Sequence, residues 1–276
     1  MKKEEQMVCL AAHYYQQFDA DVRLDVPGEA YGGWKTEPLD LPLERTALVS
    51  MHTWQFGPPE EVPGIYRAVE YLTRADAIMK SVYSPIMSAA RQAGMPVLHI
   101  VSGKSYFRDL PGYAETVKLA GEPPAAPEGA PKDPVVAQLK TFRSQRVFPG
   151  EHNQKDIDVA HNAVQFPPEA RPLDGEPIAE NAHQLNAACR ERGVSHLIYI
   201  GFAINWCVLM SPGGMMDMSR LGYLCSTIRE ATTAVENKES ARQELCKQIA
   251  LWRVSIAFGF VFDSNDFIDA LKKITP

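Results

Sequence analysis

The sequence predicts an α/β protein: a parallel sheet with helices on both faces, a Rossmann-like three-layer sandwich. Three observations predict it. The runs Thr46–Met51, Val97–Val101 and Leu197–Ile200 are apolar and β-rich without alternation, as strands covered on both faces are. Two of them follow a helix-like stretch closed by a glycine, Gly94 and Gly193, which is the order of a βαβ unit. The runs leave through polar or small-residue loops, at the end of the sheet where open α/β proteins form their sites.

The chain has 276 residues, 45% hydrophobic and 22% charged, enough for one large core. Its net charge of -6 leaves no basic excess for nucleic acid or an anionic membrane. No apolar run reaches membrane-spanning length, and the charged start Met1-Lys2-Lys3-Glu4-Glu5 is not that of a signal peptide. Five cysteines with no CxxC pair read as free thiols in a reducing, cytoplasmic setting.

Residues 1–45, rich in Pro, Gly and Tyr, are expected to be an arm that lies along the main domain or reaches a neighbouring subunit; residues 46–276 are the domain. Thr46–Met51 is the first core strand, and His52-Thr53-Trp54-Gln55-Phe56 leaves it. His52 therefore stands just past a strand end, as a site residue or as a loop histidine bonded to backbone. Ile65–Leu72 and Ala75–Ala93 read as helices, the second with Ile78, Met79, Val82 and Ile86 at helical spacing. Val97–Val101 is the second core strand; His99 inside it is expected to be a satisfied core residue, and Lys104 and Tyr106 lie in its exit.

Residues 108–176 form a long irregular insertion, with a lid or interface role expected from its length. Gly121–Pro134 is a proline-rich surface excursion, Val135–Phe142 a helix, and Val159–Phe166 a strand or extended loop. Asn181–Arg192 is a helix whose apolar stripe includes Cys189. Then come the His196–Leu209 stretch, a helix over Val208–Arg220 interrupted at Ser211–Gly214, a strand at Leu224–Ile228, its exit at Glu230–Val235, and a final long helix over Glu239–Phe258.

His196–Leu209 is the centre of the chain. Gly201 ends the strand, Phe202–Trp206 turn it, and Cys207 opens the next helix. That puts the sulfur at a helix N-terminus, where free amides and the helix dipole favour a thiolate. The alternative is a buried cysteine packing as a small hydrophobe.

From about Thr46 to Val235 the chain resembles the isochorismatase-like cysteine hydrolases, the superfamily of nicotinamidase and N-carbamoylsarcosine amidohydrolase. The likeness rests on Ala47-Leu48-Val49-Ser50-Met51, on Ala90-Arg91-Gln92-Ala93-Gly94-Met95-Pro96-Val97, and above all on Arg192-Gly193 through Ile200-Gly201-Phe202-Ala203-Ile204-Asn205-Trp206-Cys207-Val208. The resemblance implies a small-molecule substrate, a C–N bond of amide type as target, a covalent intermediate on Cys207 and a homo-oligomer, dimer or tetramer. It implies backbone donors at Ala203 and Cys207 for an oxyanion, with a cis peptide at Phe202-Ala203.

The chain also departs from that pattern. His52 stands where the family has its aspartate base, and Asp174 where counting back from Gly193 lands for its lysine. No cofactor and no metal are expected, since the aspartate and histidines that bind metal in nicotinamidases have no clear counterparts after His52. His52 is then the candidate base for Cys207. Lys104 is a source of positive charge or a solvated loop lysine. Trp54, Phe56, Tyr106, Asn205 and Trp206 are candidate pocket residues, the aromatics with ordinary packing as the other reading. A non-catalytic relative that binds a ligand or serves assembly is the competing function.

Overall fold

The computed structural model describes residues 5–103 and 105–274. Among them, one eight-stranded sheet runs in the order β2-β1-β8-β7-β6-β3-β4-β5. The strands are β1 (Met7–Gln16), β2 (Gly33–Pro42), β3 (Thr46–Met51), β4 (Val97–Ile100), β5 (Ile178–Ala179), β6 (His196–Phe202), β7 (Leu224–Thr233) and β8 (Val261–Phe262). All neighbours from β8 to β5 are parallel; only the pairs involving β1 are antiparallel. The expected parallel sheet is therefore present.

The central strands β3 and β6 are buried along their whole length, which is why their sequences do not alternate. Successive side chains feed two cores. Leu48, Ile198 and Ile200 pack with α2 (Leu72–Ile78), α3 (Ser84–Gln92) and α10 (Ser264–Ile274). Val49, Leu197 and Tyr199 pack with α7 (Ala182–Glu191), α8 (Met215–Arg220) and α9 (Leu245–Ala257). The remaining helices are α1 (Pro63–Ala68), α4 (Pro111–Ala120), α5 (Pro134–Arg146) and α6 (Gln154–Ala163). No helix among the described residues is long and apolar enough to cross a membrane.

Within the segment read as an arm, residues 7–42 form a hairpin that extends the sheet. The Ala11 amide donates to Asp266 and the Tyr15 amide to Ser255, while His13 pairs with Val261. The odd-numbered amides of β1 thus face β8, leaving the even ones for β2. The register Leu10↔Leu39 and Ala12↔Glu37 then turns Trp34, Thr36, Pro38, Asp40 and Pro42 to the free edge. Two of those five have no N–H, so Pro38 and Pro42 blunt an exposed edge strand.

Several elements differ from expectation. The helix expected over Ala75–Ala93 begins at Leu72 and passes through a π-turn at Met79–Tyr83, which accommodates Pro85 at the head of the next segment. Val159–Phe166, expected as a strand or loop, is largely the end of α6, with Ile157 and Ala160 inward. The exit loop expected at Glu230–Val235 is mostly strand: a bulge between Tyr199 and Gly201 lets β7 run on to Thr233. The last long helix starts at Leu245, not Glu239, because Glu236 caps it by accepting from the Cys246 and Lys247 amides.

The insertion is anchored by a buried ionic cluster. Glu176 accepts two bonds from Arg91, at 2.7 and 2.9 Å, one from His99 Nε2 at 2.8 Å and one from the Leu173 amide at 2.9 Å. Burial pushes the Glu176 carboxyl up, but His99, Arg91 and the Leu173 amide pull it down further, to about 2. Burial lowers His99, so its ring is neutral and donates to the carboxylate. A carboxyl held below its ordinary value stabilises the fold above about pH 4.5, and that stability is lost as pH falls towards 2. Glu176→Gln is expected to cost about 3 kcal/mol at pH 7, with the gap to the parent narrowing at pH 3. Urea unfolding at the two pH values checks this.

Candidate active site

β3 and β6 are adjacent, with Met51 opposite Gly201, so the residues that leave these strands emerge side by side. Gly201 has φ +133°, and a Cβ on it would lie 2.0 Å from the Met51 carbonyl oxygen. Only glycine lets the two backbones come this close. The peptide Phe202-Ala203 is cis, as expected from the resemblance.

Beyond it, Ile204–Val208 form one π-turn. The Ala203 carbonyl accepts from the Trp206 and Val208 amides, both at 3.1 Å. Asn205, a candidate pocket residue, exchanges two 2.8 Å bonds with the Val235 main chain, so its amide group ties the turn to the end of β7. Trp206 is half exposed on the outside of the turn.

Cys207 is half-buried within this turn. Burial pushes its thiol above the ordinary value, against opposing hydrogen bonds from the Ser211 side chain and the Ala203 main chain. The turn's donors are present, but desolvation outweighs them, and the resting sulfur is a thiol. Of the two readings the sequence left open, this favours the packed thiol over the dipole-stabilised thiolate. The Tyr71 phenol is close enough for charge on Cys207 to raise it further, after burial has done most of the work. Tyr71 reaches the turn because Arg74, on the same helical run, bonds Thr233 Oγ1 and the Ala234 carbonyl, both at 3.1 Å. No local pattern in the sequence links Tyr71 to Cys207.

His52 occupies the end of β3 with φ +50°, 4% exposed, its amide donating to the Ile100 carbonyl. Its ring stacks on Trp54 at 4.8 Å and 12°. Nδ1 is buried and unpartnered, and burial lowers the imidazole to about 4. At neutral pH the ring is uncharged and has a free lone pair or N–H at that position. No hydrogen bond joins His52 to Cys207 among the described residues.

The other aromatics are brought together. Trp54 Nε1 donates to Tyr106 Oη at 3.1 Å, and Phe56 sits 6.0 Å from Trp54 edge-on. Trp54 and Phe56 wall a cleft of about 320 Å³ with Tyr66, Leu72 and Met79. Lys104 lies outside the described residues. Asp174 is exposed, on a turn away from buried groups. Among the described residues no three His, Cys, Asp or Glu side chains gather as a metal site would need.

No family model matches the chain. In sequence it is similar to the ureidoacrylate amidohydrolase RutB of Caulobacter vibrioides (strain ATCC 19089 / CIP 103742 / CB 15), 26% identical over 194 residues, 69% of this chain and 76% of that protein. The Caulobacter segnis enzyme of the same name is 25% identical over 194 residues, 69% and 72%. Solved structures similar to it include a cysteine hydrolase from Pseudomonas syringae pv. phaseolicola 1448A, at 14% identity, TM-score 0.47, and 85% and 95% coverage. Another is the pyrazinamidase/nicotinamidase of Streptococcus mutans UA159, at 17%, TM-score 0.40, and 79% and 99%.

Proposed function

We propose that this chain is an isochorismatase-like hydrolase of a C–N bond in a small molecule, working through a covalent intermediate on Cys207. The observation that carries the reading is the placement of Cys207. It is a half-buried thiol on a turn just past the central strand, with a neutral buried imidazole leaving the adjacent strand. The named relatives act as amidohydrolases, which supports the same bond class.

The chemistry follows from the protonation states. The Cys207 proton passes to neutral His52 as the sulfur attacks the carbonyl carbon and an S–C bond forms. The carbonyl oxygen gains the charge, and main-chain donors of the turn, Ala203 and Cys207 in this reading, hold it. The C–N bond then breaks, the nitrogen leaving with the proton from His52. Water, deprotonated by His52, hydrolyses the thioester and restores the thiol.

His52 titrates at about 4, while the thiol lies above its ordinary 9.0. Both shifts oppose a resting thiolate–imidazolium pair. Proton transfer is therefore expected to accompany attack, not precede it.

The second reading, a binding-only relative, is favoured by Asp174 at the lysine position and by the protonated resting sulfur. Ammonia release from 3-ureidoacrylate and simple primary carboxamides separates the two. Turnover above background supports the hydrolase; none across the set supports binding only.

A further inference from the structure

We propose that the cavity beside Tyr106, built from the 108–176 insertion, is a subsite for a carboxylate on a planar substrate, with Arg171 as its cation. The cavity has a volume of about 300 Å³, the small end of the range for ligand sites. Ser105, Tyr106, Gln165 and Arg171 offer donors to it, and among the described residues no Asp or Glu lines it. A half-open cleft that offers donors and lacks acids favours an anion over a cation.

The Arg171 guanidinium has no partner among the described residues; only its carbonyl is used, by Arg91 at 3.0 Å. Arg91 itself is neutralised by Glu176. Glu180, whose charge reaches Tyr106, is already engaged by Tyr113 and Arg108. Tyr106 Oη accepts from Trp54, so its own proton is left for a ligand. The rings of Tyr106 and Phe166, 4.8 Å apart at 63°, give a planar group an apolar surface.

The cavity is coupled to the catalytic residues by short contacts. Tyr106 bonds Trp54, and Trp54 stacks on His52. The Gln55 and Gln165 main chains exchange bonds at 2.8 and 3.1 Å, fixing the cavity wall to the loop that carries Trp54. A substrate with its carboxylate at Arg171 would thus extend from the insertion towards the end of β3. This deepens the hydrolase reading by naming a substrate class, and it rests on that reading only for where the C–N bond lies.

The test uses full-length Cys207→Ala protein, so it needs no turnover. Benzoate and benzamide are titrated by calorimetry at pH 7. Benzoate is expected to bind about tenfold more tightly than benzamide, one charge-assisted hydrogen bond being about that size. Arg171→Gln should remove the difference and leave benzamide unchanged, while Arg171→Lys should keep part of it. Equal binding of the two probes, no benzoate binding, or a preference that survives Arg171→Gln overturns the proposal. None of these outcomes bears on whether Cys207 is a nucleophile.

Discussion

Cys207→Ala is expected to reduce hydrolysis by about 10⁴-fold or more, the loss seen when a covalent nucleophile is removed. The same change should move stability by no more than about 1 kcal/mol, since the sulfur is only half-buried and fills no deep core position. His52→Gln puts an amide of similar size in place of the imidazole, without a base, and should cost about 10² to 10⁴. The pH profile adds a sign. His52 titrates at about 4, so its neutral form persists down to that value. The acid limb of kcat/KM should therefore fall near pH 4, and not near 6.5 as for an exposed histidine. Ammonia release measured against pH for the three proteins gives all of these numbers. A limb near 6.5 would mean that the ring is solvated in the working enzyme.

Gly201→Ala should be the most damaging single change to the fold. The added methyl would stand 2.0 Å from the Met51 carbonyl oxygen, which is backbone in the neighbouring strand and cannot swing aside. The φ of +133° is also barely accessible to alanine. Relief requires β6 to separate from β3 at the point where Thr232 Oγ1 also bonds the Gly201 carbonyl, at 2.6 Å. A cost of about 4 kcal/mol or more is expected, enough to leave little folded protein. Urea unfolding, or soluble yield if the protein does not fold, checks it. A variant with a parental midpoint would mean that the β3–β6 junction is looser than described. Gly214→Ala offers a comparison: its Cβ would meet the Cys207 carbonyl at 2.9 Å, so a smaller penalty is expected.

The parts of the fold that the sequence revealed are those whose environment is uniform. β3, β4 and β6 lie between two helical layers, and their unbroken apolar runs say so. β1 and β2 were less legible because an edge hairpin is held by a partner far along the chain: β8 and the side chains of Ser255 and Asp266. Pro38 and Pro42 are compatible with β2 because only its inner edge is paired. The end of α6 was obscured by its exposure, with Val159 outward and only Ile157 and Ala160 buried.

Cys207 and His52 were nominated from the sequence because strand ends announce themselves. Tyr71 and Arg171 could not be, since each is placed by contacts between distant segments. The environment of Cys207 was hard to read for a related reason. Turn donors can be inferred locally, whereas the burial that outweighs them depends on the whole packed layer.

The central claim is that Cys207 forms a bond to its substrate, and mass spectrometry of acid-quenched protein tests it most directly. Mixed with 3-ureidoacrylate or a hydrolysed carboxamide and stopped within the first turnover, the parent should carry an acyl adduct on the peptide containing Cys207. Cys207→Ala should carry none. Turnover that persists in Cys207→Ala, or a quenched parent without an adduct while product still forms in the first turnover, would contradict a covalent role for this sulfur.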